Sequence, residues 1–390
     1  MLPFEKSEYL ERVNKVKKSM TENGIDVLLS TNPANICYLT GYDGWSFYVH
    51  QLVVISVDHD HPIWIGRGMD ANAARVTTYL DDNNIHGYAD HYVQSTERHP
   101  MDYVADLIKE KGWDRKTIGV EMDTYYFTAA CYVALQRNLP NADFKDSTTL
   151  VNWVRVIKSP QEIEFMKRAA RIIEKVMQTA MDAINPGVRQ CDAVAAIYQA
   201  QISGSGEYGG DYTAFCPMLP TGKGTSTPHL TWTDEPFVNG EATVLELGGC
   251  YKRYHCPMAR TVHLGTPPKA LSDTANVVVE GLNNALMAAK PGVTCEEVEA
   301  TWRRTIDKYG LKKESRIGYS TGLNYPPDWG ESTLSLRPGD KTVLQPNMTI
   351  HMIPGIWMDD WGIEISECFQ VTESGSKTFA NFPQGLLVKE

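Results

Sequence analysis

Val156-Ile157-Lys158-Ser159-Pro160-Gln161-Glu162-Ile163 divides the chain. Ser159 is a helix N-cap residue, Pro160 suits the first helical position, and Glu162 completes a capping box with the serine. Behind it Ile163, Met166, Ala170, Ile173, Met177, Ala180 and Ile184 recur at helical spacing, so one apolar stripe faces a core. The helix must stop at Asn185-Pro186-Gly187. The expected domains are residues 1–157 and residues 158–390.

On the N-terminal side of this junction, α and β patterns alternate. Residues 7–23 are patterned as a helix and Asp26 to Ser30 as a short buried strand. Leu52 to Val57 and Pro62 to Ile65 flank Asp58-His-Asp-His61 as a hairpin pair. Helices are expected over 70–80 and 126–137, with a strand over 117–121. This is a small mixed α/β domain.

On the C-terminal side the chain repeats itself. Ile184-Asn-Pro-Gly-Val188 is followed by a helix from about Cys191, and Ala289-Lys-Pro-Gly-Val293 by a helix from Cys295 to Tyr309-Gly310. Pro186 and Pro291 lie 105 residues apart. A strand-rich stretch follows each helix pair, over about 212–264 and then 316–372. Two copies of helix–turn–helix–strands predict a pseudo-symmetric α/β domain with its site where the sheets meet.

Composition narrows the function classes. The chain has 390 residues with Lys+Arg 37 against Asp+Glu 48, a formal net charge of -11. That balance, with no basic run longer than two residues, argues against a nucleic-acid partner. The N-terminal stretch is polar and periodic, unlike a secretory signal. No apolar run is long enough to span a bilayer. The 8 cysteines are dispersed without a CxxC pair, which reads as reduced thiols in a cytoplasmic protein.

Chemistry-bearing residues gather in the two strand-rich stretches. The first holds Asp211-Tyr212, Thr227-Pro-His229, Trp232, Glu246 and His255; the second holds Tyr319, Trp329, Glu331, His351, Trp357, Trp361, Glu364 and Glu367. Glu246 interrupts an apolar strand, Ala242 to Gly249, which makes it either an edge charge or a site group. His229 follows a proline in a loop, where a histidine often serves only as a hydrogen-bonding group. Gly318-Tyr-Ser-Thr-Gly322 has the glycine spacing of a nucleophile elbow but not its strand–Ser–helix setting.

These segments resemble the creatinase/prolidase (pita-bread) superfamily over almost the whole chain. The resemblance rests on Val156 to Ile163, the Pro-Gly turns, Gly318 to Gly322, Met348 to Gly355 and Ile365 to Glu373. It implies a small creatinase-type α/β N-terminal domain and a C-terminal pseudo-two-fold pita-bread domain. The metallopeptidases of this family carry five metal ligands. Their positions fall here on Glu246, Pro257, Tyr319, Ile353 and Ser366, although Glu364 and Glu367 stand close enough for a shifted register at the last. Proline and isoleucine offer no side-chain donor, so a dinuclear centre is not expected. A mononuclear set would have to come from Glu246, His255 and His351. The expectation is no metal and no other cofactor.

Creatinase is the metal-free branch of the family, and its general acid/base histidine matches His229. Its glutamates do not carry over, since Ile353 and Ala259 fill their places. Tyr208-Gly-Gly-Asp-Tyr212, Pro228-His-Leu-Thr-Trp232 and Leu245 to Thr261 are similar to the ectoine-hydrolase branch. That likeness implies metal-independent opening of the cyclic amidine ring of ectoine, or of a similar small amidinium carboxylate. Glu246 is then the nucleophile or general base and His229 the proton shuttle. Tyr319, Trp232, Tyr212, Trp361 and Glu364 are the implied substrate contacts, with Trp329 and Trp357 as further aromatic candidates. Arg337, Arg260 and Arg67 are the candidates for the substrate carboxylate. The resemblance also implies a homodimer in which Tyr42 to Tyr48 either closes the neighbouring pocket as a lid or packs the dimer. The alternatives are a creatinase-like amidinohydrolase, a metal-dependent prolidase and an inactive pita-bread module that binds peptides or proteins.

Overall fold

The computed structural model describes residues 2–390. The chain forms two compact units, one ending at Arg155 and the other spanning Val156–Glu390.

The first unit runs α1 (Lys6–Glu22), β1 (Val27–Ser30), α2 (Pro33–Thr40), β2 (Leu52–Ser56), β3 (Ile63–Arg67), α3 (Ala71–Thr77) and β4 (Ile85–Tyr88). It continues with α4 (Pro100–Glu110), β5 (Thr117–Val120), α5 (Ala129–Asn138), β6 (Asp143–Asp146) and α6 (Leu150–Val154). Its six strands form one mixed sheet in the order β4-β3-β2-β1-β5-β6. The expected hairpin is present, with Leu52 opposite Ile65 and Val54 opposite Ile63. Val27, Leu29, Val54, Ile65, Ile118 and Val120 turn into a core closed by α4 and α5.

The second unit opens with α7 (Pro160–Ala183) and α8 (Gln190–Ser203). Ser159 Oγ accepts the Glu162 N–H and the Glu162 side chain accepts the Ser159 N–H, so the capping box forms as its residues dictate. The long strands β7 (Ala242–Tyr251) and β8 (Tyr254–Leu264) follow. The second helix pair is α9 (Lys269–Ala288) and α10 (Cys295–Asp307). The strands β9 (Gly318–Thr321), β10 (Gly330–Ser335), β11 (Thr349–Met352), β12 (Gly355–Trp357), β13 (Gly362–Glu364), β14 (Glu367–Thr372), β15 (Gly375–Thr378) and β16 (Leu386–Lys389) complete it. Both Pro-Gly turns put glycine in the left-handed region, Gly187 at φ 85 and Gly292 at φ 88, which an L side chain resists. The two helix pairs therefore stop in the same way.

Three sheets carry the second unit: β10-β9-β11-β14-β15, β16-β8-β7 and the hairpin β12-β13. Helix α7 lies so close on β7 that a Cβ at Gly249 would come within 2.2 Å of the Ala169 carbonyl oxygen. Ser366, just before β14, donates its N–H to the Ala259 carbonyl on β8 and ties two sheets together.

One expectation fails. Residues 212–241 form no strand; they make a loop with one short 3-10 turn, Gly222–Ser226, and isolated bridges from Met218 to Glu246 and Thr221 to Thr243. Pro217, Pro220, Pro228 and Pro236 remove the backbone donors that a ladder needs. No helix among the described residues is long and apolar enough to cross a membrane.

Candidate active site

A cavity of about 590 Å³ in the second unit is lined by Glu246, Glu364, Asp328, Tyr319, Lys313 and Arg316, with His229, Ile353 and Trp357 also on its wall. Strand period brings Glu246 there. It pairs with Ala259 on β8, and the Met218 bridge covers its other edge. The backbone is fully paired while the side chain projects from the sheet. Glu246 is 4% exposed. Its carboxylate accepts no hydrogen bond from the described residues. Burial, then the charges of Glu364 and Asp328, hold its pKa well above the ordinary carboxylate range.

Glu364 ends β13. Its backbone is locked by Thr261, whose Oγ accepts the Glu364 N–H and donates to the Glu364 carbonyl. Its Oε2 is buried without a hydrogen bond. Burial pushes the Glu364 carboxyl up to about 7, and Lys313 opposes that. The Lys313 ammonium sits 4.0 Å from the Trp357 ring centroid. Burial brings Lys313 down to about 8, with Glu364 pulling the other way. Asp328 is half-buried and raised by burial, although it accepts the Gly330 N–H.

Tyr319 stands opposite His351 in the β9–β11 ladder. Its Oη accepts Trp329 Nε1–H at 2.8 Å and lies 3.2 Å from His351 Nδ1. His351 Nε2 is 2.8 Å from Ser366 Oγ, which also accepts the Ala259 N–H. Burial, with Arg260 and Arg316, pushes His351 down to about 3, so the ring is neutral at ordinary pH. Ser366 is fully buried, and His351 Nε2 is the acceptor within reach of its hydroxyl hydrogen. That assigns the ring proton to Nδ1, which donates to Tyr319 Oη. Tyr319 then accepts two hydrogen bonds and keeps its own O–H to donate into the cavity.

The loop places His229 on the wall of the cavity, exposed to solvent. Three expected substrate contacts are not among the lining residues. Trp232 sits in the proline-rich loop with its ring 6.3 Å from that of Tyr198. Tyr212 carries the Arg253 guanidinium 3.6 Å from its ring centroid. Trp361 lines a different cavity of about 240 Å³ with Lys223, His263 and Leu271. Trp329 is fully buried and acts through Tyr319.

The expected carboxylate-binding arginines are elsewhere too. Arg260 is fully buried, paired with Glu367 and bonded to four carbonyls. Arg337 is exposed and Arg67 pairs with Asp90 in the first unit. The Glu367–Arg260 pair also settles the register near Ser366: Glu364, not Glu367, faces the cavity. Sequence reasoning missed Lys313, Arg316 and Asp328. The first two lie in Lys312-Lys313-Glu-Ser-Arg316, which looks like a solvated charge run, and their signal is position just ahead of the strand that carries Tyr319.

The five family metal positions do not fit a metal pair. Pro257 and Ile353 supply no donor atom. Tyr319 Oη and Ser366 Oγ are tied to His351. His255 spends Nε2 on the Ala214 N–H, and both nitrogens of His351 are engaged. Glu246 and Glu364 keep free carboxylate oxygens on the cavity, and among the described residues no third ligand joins them within 4.8 Å. Among the described residues, one group of His, Cys, Asp or Glu brings three ligand atoms within 4.8 Å of one another: His50, His99 and Cys131 of the first unit. His99 accepts the Met101 N–H at Nδ1, which fixes its proton on Nε2 and leaves no lone pair for an ion.

Residues 164–373 match the model of metallopeptidase family M24, and residues 12–157 match that of the creatinase/prolidase N-terminal domain. A protein of Halomonas elongata named ectoine hydrolase is 49% identical over 100% of this chain and 99% of its own. An uncharacterized hydrolase/peptidase of Sinorhizobium fredii is 45% identical over 100% of both chains. Among solved structures, a prolidase from Pyrococcus horikoshii superimposes with a TM-score of 0.80 at 22% identity, covering 96% of this chain and 99% of its own. The fold is therefore the creatinase-type α/β domain followed by the pita-bread domain.

Proposed function

The chain belongs to metallopeptidase family M24 and is a hydrolase, and from that premise we propose that it opens the cyclic amidine ring of ectoine to N-acetyl-2,4-diaminobutyrate without a metal. The observation that carries this reading is the pair of buried carboxylates, Glu246 and Glu364, facing one cavity: Glu364 Oε2 is buried without a hydrogen bond, and the Glu246 carboxylate is acted on by burial and by other acids and by no hydrogen-bond donor of the described chain. A buried carboxylate left this way costs free energy. A ligand that brings positive charge and N–H donors removes that cost. An amidinium does both. The likeness to the Halomonas elongata protein supports ectoine as that ligand.

The amidinium carbon is already electron-poor, so it needs no Lewis acid of the kind a neutral peptide carbonyl needs. In the proposed reaction Glu246 attacks that carbon, or takes a proton from a water that does. A carbon–oxygen bond forms and one ring carbon–nitrogen bond breaks. His229 delivers the proton to the leaving nitrogen. If Glu246 has bonded to carbon, water then releases it, so one water is consumed on either route. The Tyr319 O–H is oriented to donate to the oxygen that becomes the amide carbonyl. Glu364 receives a ring N–H.

The same reading makes the protein a cytoplasmic homodimer; its 8 free cysteines suit a reducing compartment. The test is to incubate metal-stripped protein with ectoine, creatine and a Gly-Pro dipeptide and to follow the new amine. EDTA-insensitive release from ectoine alone is expected. Dipeptide cleavage that appears only when metal is restored would overturn the reading.

A further inference from the structure

We propose that Arg316 seats the carboxylate of the substrate and so restricts turnover to amidines that bear an acid group on the ring. The proposal rests on the amidine reading above and adds the determinant of orientation, which that reading leaves open.

A zwitterionic ligand needs both signs of charge on the wall of its cavity. Glu246, Glu364 and Asp328 supply the negative side, and the cationic candidates on the wall are Lys313 and Arg316, besides His229. Lys313 is committed. It is 7% exposed, lies against the Trp357 ring, and balances Glu364. Taking a substrate carboxylate there would strip Glu364 of its counter-charge at the place where a cation is wanted.

Arg316 has no such commitment. Its Nη1 donates to Ser335 Oγ at 3.1 Å, and no carboxylate lies within ion-pair distance of it among the described residues. Asp328 acts on it only at longer range. The Nε–Nη2 edge makes no hydrogen bond within the described chain. That edge is the fork that binds a carboxylate through two parallel N–H donors.

The fork is also held in place. The guanidinium carbon lies 4.4 Å from the Tyr319 ring centroid. The next residue, Ile317, is fully buried and donates its N–H to the Leu336 carbonyl. The arginine is thus anchored by strand entry behind it, by Ser335 on one nitrogen and by an aromatic face beneath it. Little side-chain freedom remains to be lost on binding. A carboxylate on this fork leaves the amidinium to the three acids of the same cavity.

The experiment compares kcat/KM for ectoine with that for 2-methyl-1,4,5,6-tetrahydropyrimidine, the same ring without its carboxylate. Both are measured on one sample, so the ratio does not depend on the fraction of folded enzyme. The wild type is expected to prefer ectoine by about 100-fold or more. In Arg316→Ala the ratio should collapse towards one, mainly through KM for ectoine, and Arg316→Lys should restore part of it. A wild-type enzyme active on ectoine whose ratio is unchanged in Arg316→Ala overturns this proposal alone. A wild type inactive on both compounds overturns the amidine reading and this proposal with it.

Discussion

Glu121 in the first unit and Glu246 in the second are both buried carboxylates at strands, 2% and 4% exposed. Glu121 accepts from Ser30 Oγ, the Thr31 and Asn32 N–H groups and Asn35 Nδ2, all within 2.9 Å. Those donors lie at the head of α2, where the helix end also favours negative charge. Glu246 accepts nothing from the described chain. The same chemical group at nearly the same depth is a structural fastener in one unit and an unmet demand in the other. Buried polar groups are ordinarily satisfied. On the proposed reading, the carboxylate left bare next to the cavity is the one that meets the amidinium.

The contrast is broken most severely at Glu246. Glu246→Gln should lower kcat on ectoine by about 10³-fold or more, since it removes the proposed nucleophile or base. Its melting temperature should stay level or rise, because the buried acid it replaces has no hydrogen bond within the described chain to lose. Single-turnover kinetics with a thermal melt on the same sample check both halves; full activity ends the assignment. Tyr319→Phe comes next. Loss of one O–H aimed at a developing oxygen should lower kcat by about 10²-fold with KM little changed. An unchanged kcat would reduce Tyr319 to a packing residue.

Glu121→Gln should show the opposite pattern. The amide keeps one acceptor oxygen and sets an NH₂ against backbone N–H groups, so stability should fall by about 2 kcal/mol. The kcat per folded molecule should not change. Urea melts and active-site titration separate the two. Loss of kcat without loss of stability would show that the two glutamates differ in degree and not in kind.

Much of this was legible in the residues. The Ser159–Glu162 capping box, the α7 stripe and the two Pro-Gly turns are local rules, and local rules survive tertiary packing. Glu246 and Tyr319 could be found because strand period and a motif frame fix where they stand. Glu121 could not, because its donors are 86–91 residues away in the chain. Lys313, Arg316 and Asp328 were hidden for the same reason: loop charges look solvated until the sheets enclose them. Trp232, Tyr212 and Trp361 misled because an aromatic that lines a cavity and one that fills a neighbouring contact have identical letters. The stretch 212–241 misled because its Tyr, Thr and Phe content outweighed the prolines.

The smallest expected effect is the pH response, and it separates the two kinds of carboxylate without a mutation at either. Burial raises Glu364 to about 7, so it takes a proton as pH falls through that value and its hold on an amidinium weakens. Between pH 8 and pH 6 this ionisation alone should lower kcat/KM by about tenfold, through KM, and Glu246, also raised by burial and by Glu364, takes its proton in the same direction and adds a fall in kcat. Lys313, brought down to about 8, stays charged over the acid side of that range and does not confuse the sign. Stability should run the other way. A carboxyl whose folded pKa is raised binds its proton more tightly in the folded state than in the unfolded one. Between the ordinary carboxylate value and about 7 its contribution therefore declines as pH rises. Glu364→Gln should make both curves shallower, removing the KM part of the acid limb and shifting the part that belongs to Glu246 to lower pH, since the Glu364 charge no longer raises it. If the acid limb survives unshifted in that variant, the ionisation belongs elsewhere in the cavity, and Glu364 must be moved to the side of Glu121, as a group that holds the fold and not the ligand.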